Sequence, residues 1–151
     1  MTLLPARAVQ LQQMPLFGGL TEAALGVLLD DSREVAVPAG AFFFREGDPG
    51  ESLYVLDVGE VELTKAAHAG PVVLAHLQAG DCFGEMALID LSPRSASAQA
   101  VLATRALEIS MSGLHALYQR DVEQFALALV QMNMARELSR RLRRLGDRLR
   151  G

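Results

Sequence analysis

This sequence has little of several things, and each shortage excludes something. It has one cysteine, Cys82, so no intrachain disulfide forms and no cysteine-based zinc or iron–sulfur site is available. It has no tryptophan and few aromatic residues of any kind. No apolar run approaches the ~20 residues of a membrane span. The N-terminus, Met1-Thr2-Leu3-Leu4-Pro5-Ala6-Arg7, lacks the apolar stretch of a secretory signal, so the expected compartment is the cytoplasm. Lysine occurs once, at Lys65, against 13 arginines, a bias that reads as genome composition. Three histidines, His68, His76 and His115, are too scattered to form a metal site, and His68 falls in a glycine-flanked turn where exposure is expected. No pairing of nucleophile and base appears. Enzymatic chemistry, a metal-dependent cupin activity included, therefore has no support.

What is present is a 151-residue chain, half of it apolar, long enough for one real core. The net charge of −4 conceals an asymmetry: from Arg136 onward seven arginines stand against Glu137 and Asp147. A solvated helix face explains this basic tail more simply than nucleic-acid binding does.

Three textures follow one another. Residues 1–32 read as N-terminal helices, with Pro15 interrupting the first and Thr21 capping a second that carries Leu25, Leu28 and Leu29. Residues 33–111 are short β-like runs (34–37, 41–44, 53–56, 61–64, 72–75 and 100–102) separated by Gly- and Pro-containing turns. Cys82 lies in a run expected to be buried, as a small packed apolar residue. Residues 112–150 return to helix, with Ser112 as a cap and Asp121–Gln124 as a capping box. Leu127, Val130, Met134, Leu138, Leu142, Leu145 and Leu149 then approach a heptad seam. At ~1.5 Å per residue this helix outruns a small β domain, so a homodimer through residues 121–149 is expected. The fold expected is mainly β, a jelly roll (double-stranded β-helix) flanked by N-terminal helices and a long C-terminal helix, all in one domain.

One segment stands apart, Gly80-Asp81-Cys82-Phe83-Gly84-Glu85-Met86-Ala87-Leu88 continuing to Pro93-Arg94-Ser95-Ala96-Ser97. Gly84 permits close backbone approach, a short helix after it offers free N–H groups, and Arg94 offers a planar fork for two phosphate oxygens. With Glu85 to accept from a hydroxyl, these residues describe a site for a nucleotide bearing one phosphate charge. The plainer alternative is a Glu85–Arg94 salt bridge over the short helix.

Residues 83–97 resemble the phosphate-binding cassette of the cyclic nucleotide-binding domain family, and the likeness spans roughly residues 15–145. Val37-Pro38-Ala39-Gly40, Glu46-Gly47-Asp48, Gly59-Glu60-Val61 and Glu108-Ile109-Ser110 join it. The resemblance implies a non-catalytic sensor with cyclic AMP, or else cyclic GMP, as ligand and no further cofactor. Glu85 would accept from the ribose 2′-hydroxyl and Arg94 would pair with the cyclic phosphate. The N–H groups of Gly84 and Ala96, with Ser95, would complete the cradle. Phe83, Met86 and Ala87 belong to the same ligand-binding stretch. Leu63 and Leu74 would line the sugar and purine side, with Arg136 or Arg140 stacking on the base. Signalling would pass through a hinge near 111–121 to the C-terminal helix and onward to a downstream protein. Two other readings stand beside this one: the sensor half of a Crp/Fnr-like transcription regulator, and a ligand-free scaffold of the same fold.

Overall fold

Short apolar-rich runs set the strands, and glycine-containing turns end them. The computed structural model describes residues 11–14, 17–30, 32–84, 93–110, 112, 130, 133–135, 137, 138 and 140–145. Met111, His115, the 121–124 capping box and most of the 111–121 hinge lie outside the described residues. The chain divides into two compact units, residues 32–111 and the two terminal segments together.

The central unit is all β. Its strands are β1 (Ser32–Val37), β2 (Phe42–Phe44), β3 (Ser52–Val58), β4 (Val61–Lys65), β5 (Val72–Leu77), β6 (Cys82–Phe83), β7 (Ser97–Ala100) and β8 (Thr104–Ser110). They form two antiparallel four-stranded sheets, ordered β1-β8-β3-β6 and β2-β7-β4-β5. This is the expected jelly-roll arrangement, in which consecutive strands cross between sheets except for the β4–β5 hairpin.

The inward residues of both sheets meet in one core of Tyr54, Leu56, Val61, Leu77, Phe83, Ala98 and Ala106, with Phe43, Phe44 and Leu63 packed against it. The rings of Tyr54 and Phe83 stack 5.2 Å apart, and Phe43 meets both edge-on. Cross-strand register explains the stack, because Tyr54 lies opposite Phe83 on one side and Glu108 on the other. Cys82 is buried in β6 beside Val55, as expected for a small packed residue. His68 is exposed in the β4–β5 turn.

One expected strand is corrected. Of the apolar run 100–102, only Ala100 belongs to a strand, the last residue of β7. Val101 and Leu102 are exposed, at 41% and 54%. The chain must leave one sheet after Ala100, which pairs with Val61, and enter the other at Thr104, which pairs with Val37. Residues 101–103 make that crossing, so their apolar side chains do not reach the core.

In the helical unit the expected Thr21 cap is present. The Thr21 hydroxyl accepts from the Ala24 N–H at 3.2 Å, and α1 (Glu22–Asp30) begins there. Its Ala24, Leu25, Val27 and Leu28 are buried, as are Leu11, Met14, Phe17 and Leu20. Every described residue from 130 to 145 is helical. The Asn133 side-chain amide donates to the Gly18 carbonyl at 3.1 Å and ties this helix to the N-terminal segment. Along the seam, Val130 and Met134 are buried, Leu138 and Leu145 half-buried, and Leu142 is 69% exposed.

Candidate functional site

The site is built around Arg94, which follows Pro93 in the loop before β7. The side chain is 5% exposed. An unaccompanied buried guanidinium is costly, and among the described residues its partners include two backbone carbonyls. Nη1 donates to the Gly84 carbonyl at 2.8 Å and Nη2 to the Ser52 carbonyl at 2.9 Å. The guanidinium carbon lies 4.1 Å from the centroid of the Phe44 ring and 5.9 Å from that of Tyr54. Aromatic faces and carbonyl oxygens together give the cation a polarised setting in place of water.

Gly84 follows β6 with φ of +84°, the left-handed region. A Cβ at this position would lie 2.7 Å from Arg94 Nη1 and 3.3 Å from the Ser52 carbonyl oxygen. The close approach that the sequence suggested is therefore an approach to Arg94 itself. Phe83 is fully buried in the ring stack, so it supports the backbone at Gly84 from within the core.

One turn, between β2 and β3, holds the Arg94 backbone from both sides. The Gly47 N–H donates to the Arg94 carbonyl and the Arg94 N–H donates to the Asp48 carbonyl, each at 2.8 Å. That turn is closed by its own aspartate, as the Asp48 carboxylate accepts from the Arg45 N–H at 2.9 Å. Beyond Arg94, Ser95 is exposed and Ala96 half-exposed. Lys65, at the end of β4, donates to the Ser95 carbonyl at 3.0 Å and to the Glu46 carboxylate at 3.1 Å. Glu46 also accepts from the Ala66 N–H at 2.9 Å. That backbone bond first, and Lys65 second, hold the Glu46 carboxyl below the usual carboxylate range.

A second polar cluster adjoins the first through Ser52. Its hydroxyl and that of Tyr54 both donate to the Glu108 carboxylate, at 3.1 and 2.9 Å, and Arg33 donates to the same group. Burial opposes ionisation of Glu108. The donors Arg33, Tyr54 and Ser52 outweigh it, and the pKa falls below the usual range. Burial pushes the Tyr54 hydroxyl up.

The structure thus brings Gly84, Arg94, Ser95 and Ala96 into one neighbourhood. Leu63 packs on the core from β4, and Leu74 lies beside the register shift of the β4–β5 pair, where Ala75 faces Leu63 and Val73 faces Thr64. Glu85, Met86, Ala87 and Arg136 lie outside the described residues. Arg140 is half-exposed and pairs with Glu137 at 3.4 Å, with Arg144 3.5 Å from the same carboxylate. Sequence reasoning missed Phe44, Ser52, Asp48, Glu46 and Lys65. Two of these act partly or wholly through backbone carbonyls, and carbonyls carry no residue-specific signal. Among the described residues no group of three His, Cys, Asp or Glu could hold a metal ion, and no helix is long and apolar enough to cross a membrane.

Comparison with known proteins places this geometry in context. Residues 34–121 match the family described as Cyclic nucleotide-binding domain. The cyclic AMP receptor protein of Thermus thermophilus is 38% identical over 130 residues, covering 85% of this chain and 57% of the relative. The cAMP-dependent protein kinase regulatory subunit of Emericella nidulans is 33% identical over 107 residues, or 71% of this chain and 26% of that one. A crystal structure of a cyclic nucleotide-binding domain from Methylobacillus flagellatus superposes with a TM-score of 0.83 at 28% identity, covering 97% of this chain and 82% of that one. The chain thus spans little more than half, or less, of the two curated relatives.

Proposed function

The chain belongs to the cyclic nucleotide-binding domain family, and from that premise we propose that it is a regulatory, non-catalytic sensor of cyclic AMP. The observation that carries the reading is the Gly84–Arg94 pair. An arginine is kept desolvated over the Phe44 ring, with the exposed Ser95 and half-exposed Ala96 beside it. A desolvated guanidinium gains more from an anion than a hydrated one does. Backbone N–H groups of the loop next to it suit the exocyclic oxygens of a cyclic phosphate.

In this reading Arg94, Ser95 and the N–H groups of Gly84 and Ala96 take the phosphate. Glu85 accepts from the ribose 2′-hydroxyl, and Leu63, Leu74, Met86 and Ala87 complete the pocket around sugar and base. The preference for cyclic AMP rests on the names of the relatives, a cyclic AMP receptor and cAMP-dependent kinase subunits.

A sensor must favour one arrangement of its output element over another. The proposed output is the C-terminal helix, moving about residues 111–121 as the single domain 1–151 responds to ligand in the cytoplasm. The exposure of Leu142 on the heptad seam supports a homodimer through residues 121–149.

Calorimetric titration of the full chain with cyclic AMP, cyclic GMP and 2′-deoxy cyclic AMP tests the reading. Binding of cyclic AMP with strong loss for the deoxy analogue is expected. Absence of binding by either purine cyclic monophosphate overturns the sensor role and favours a ligand-free scaffold. Hydrogen exchange across residues 112–145, with and without cyclic AMP, tests the helix response, and unchanged protection there overturns it.

A further inference from the structure

The one lysine of the chain stands beside the proposed phosphate cradle. Lys65 closes β4, and its ammonium bridges the Ser95 carbonyl and the Glu46 carboxylate at 3.0 and 3.1 Å. Glu46 is itself fastened, since its carboxylate accepts from the Ala66 N–H and its own N–H donates to the Ser97 hydroxyl, both at 2.9 Å. Residues 95 and 97 are therefore held from two separate loops.

Peptide geometry gives this bridge a consequence. The Ser95 carbonyl and the Ala96 N–H belong to one planar unit, and in a trans unit they point in opposite directions. No cis peptide bond occurs among the described residues. Drawing the carbonyl toward Lys65 turns the Ala96 N–H away from it. Donation to a carbonyl oxygen also polarises the amide and strengthens its N–H as a donor.

We propose that Lys65, braced by Glu46, is a positioning residue for phosphate recognition. It presets the Ala96 N–H for one exocyclic oxygen of the cyclic phosphate without touching the ligand. The inference rests on the reading of this segment as a phosphate cradle and adds to it a residue outside the cradle. The Lys65 side chain is 51% exposed, and exposed ion pairs contribute little to stability. Loss of the bridge is therefore expected in binding more than in folding.

The test uses the full chain and three variants, Lys65→Met, Lys65→Arg and Glu46→Gln. With cyclic AMP, Lys65→Met is expected to bind about tenfold more weakly and Lys65→Arg to stay within about threefold of the parent. The decisive readout is the pair of diastereomers of adenosine 3′,5′-cyclic phosphorothioate, in which sulfur replaces one exocyclic oxygen or the other. A misdirected Ala96 N–H changes the ratio of the two affinities, whereas general loosening weakens both alike. An unchanged ratio in Lys65→Met overturns the proposal and leaves the phosphate reading intact. Failure of the parent chain to bind cyclic AMP overturns the reading and the proposal with it. If Lys65→Met does not fold by circular dichroism, Glu46→Gln decides: a changed ratio supports the positioning role, and an unchanged one overturns it.

Discussion

The guanidinium carbon of Arg94 lies over the ring of Phe44, 4.1 Å from its centroid, while its two terminal nitrogens donate to the carbonyls of Gly84 and Ser52. One residue thus serves two ends. It fastens the strand end at Gly84 to β3, and it keeps a positive charge out of water within reach of the proposed ligand. If Arg94 takes the phosphate as proposed, its structural and recognition roles are coupled, and variants at this position should report both.

Arg94→Ala removes a charge-assisted, forked donor. The expected loss is roughly 2–4 kcal/mol of cyclic AMP binding, or about 30- to 1,000-fold in affinity. Thermal unfolding without ligand should also occur at lower temperature, because the Gly84 and Ser52 carbonyls lose their partner. Calorimetry and circular dichroism check the two effects separately. Equal affinity in the variant would dismiss the phosphate role.

Gly84→Ala meets two obstacles, a left-handed backbone and a side chain already in the space. The new methyl group would press on Arg94 Nη1 and the Ser52 carbonyl. A destabilisation of about 1–3 kcal/mol is expected, with cyclic AMP affinity reduced alongside it as Arg94 is displaced. Denaturant unfolding and titration of the same sample measure both. A variant as stable as the parent would contradict the strain argument.

Acid should weaken the β unit through Glu108 and Glu46. Both carboxyls have folded pKa values below their ordinary range. The unfolded state therefore takes up protons first, so the stabilisation is complete above the ordinary carboxylate range and is lost as pH falls through the folded values. In Glu108→Gln the melting temperature should be lower than in the parent near neutrality. The gap should narrow on titration to about pH 3. A gap independent of pH would show that the ionised Glu108 is not what holds Ser52, Tyr54 and Arg33.

Leu142 tests assembly. It is the most exposed apolar residue on the seam among those described, while Val130 and Met134 on the same helix are buried. Leu142→Asp should convert a dimer to a monomer in sedimentation velocity while leaving the ligand-free β unit intact by near-ultraviolet circular dichroism. A parent chain that sediments as a monomer would remove the basis for dimerisation through residues 121–149.

Much of this protein was already determined by local chemistry. Short apolar runs with Gly- and Pro-containing turns between them specify short strands, and Thr21 ahead of Leu25 and Leu28 specifies a capped helix, because these signals act within a few residues. The run 100–102 shows where local signals fail, since apolar character does not reveal that the chain must change sheets there. The site divides in the same way. Gly84, Arg94, Ser95 and Ala96 are recognisable as residues at a spacing. The tertiary structure alone decided that Arg94 turns inward onto Phe44 and two carbonyls, and that Lys65 and Glu46 grip the loop beside it. Those partners are 10 to 51 residues away along the chain or are backbone oxygens. Only folding brings such groups together, because contacts of that sequence separation depend on strand register and crossover rather than on any neighbouring side chain.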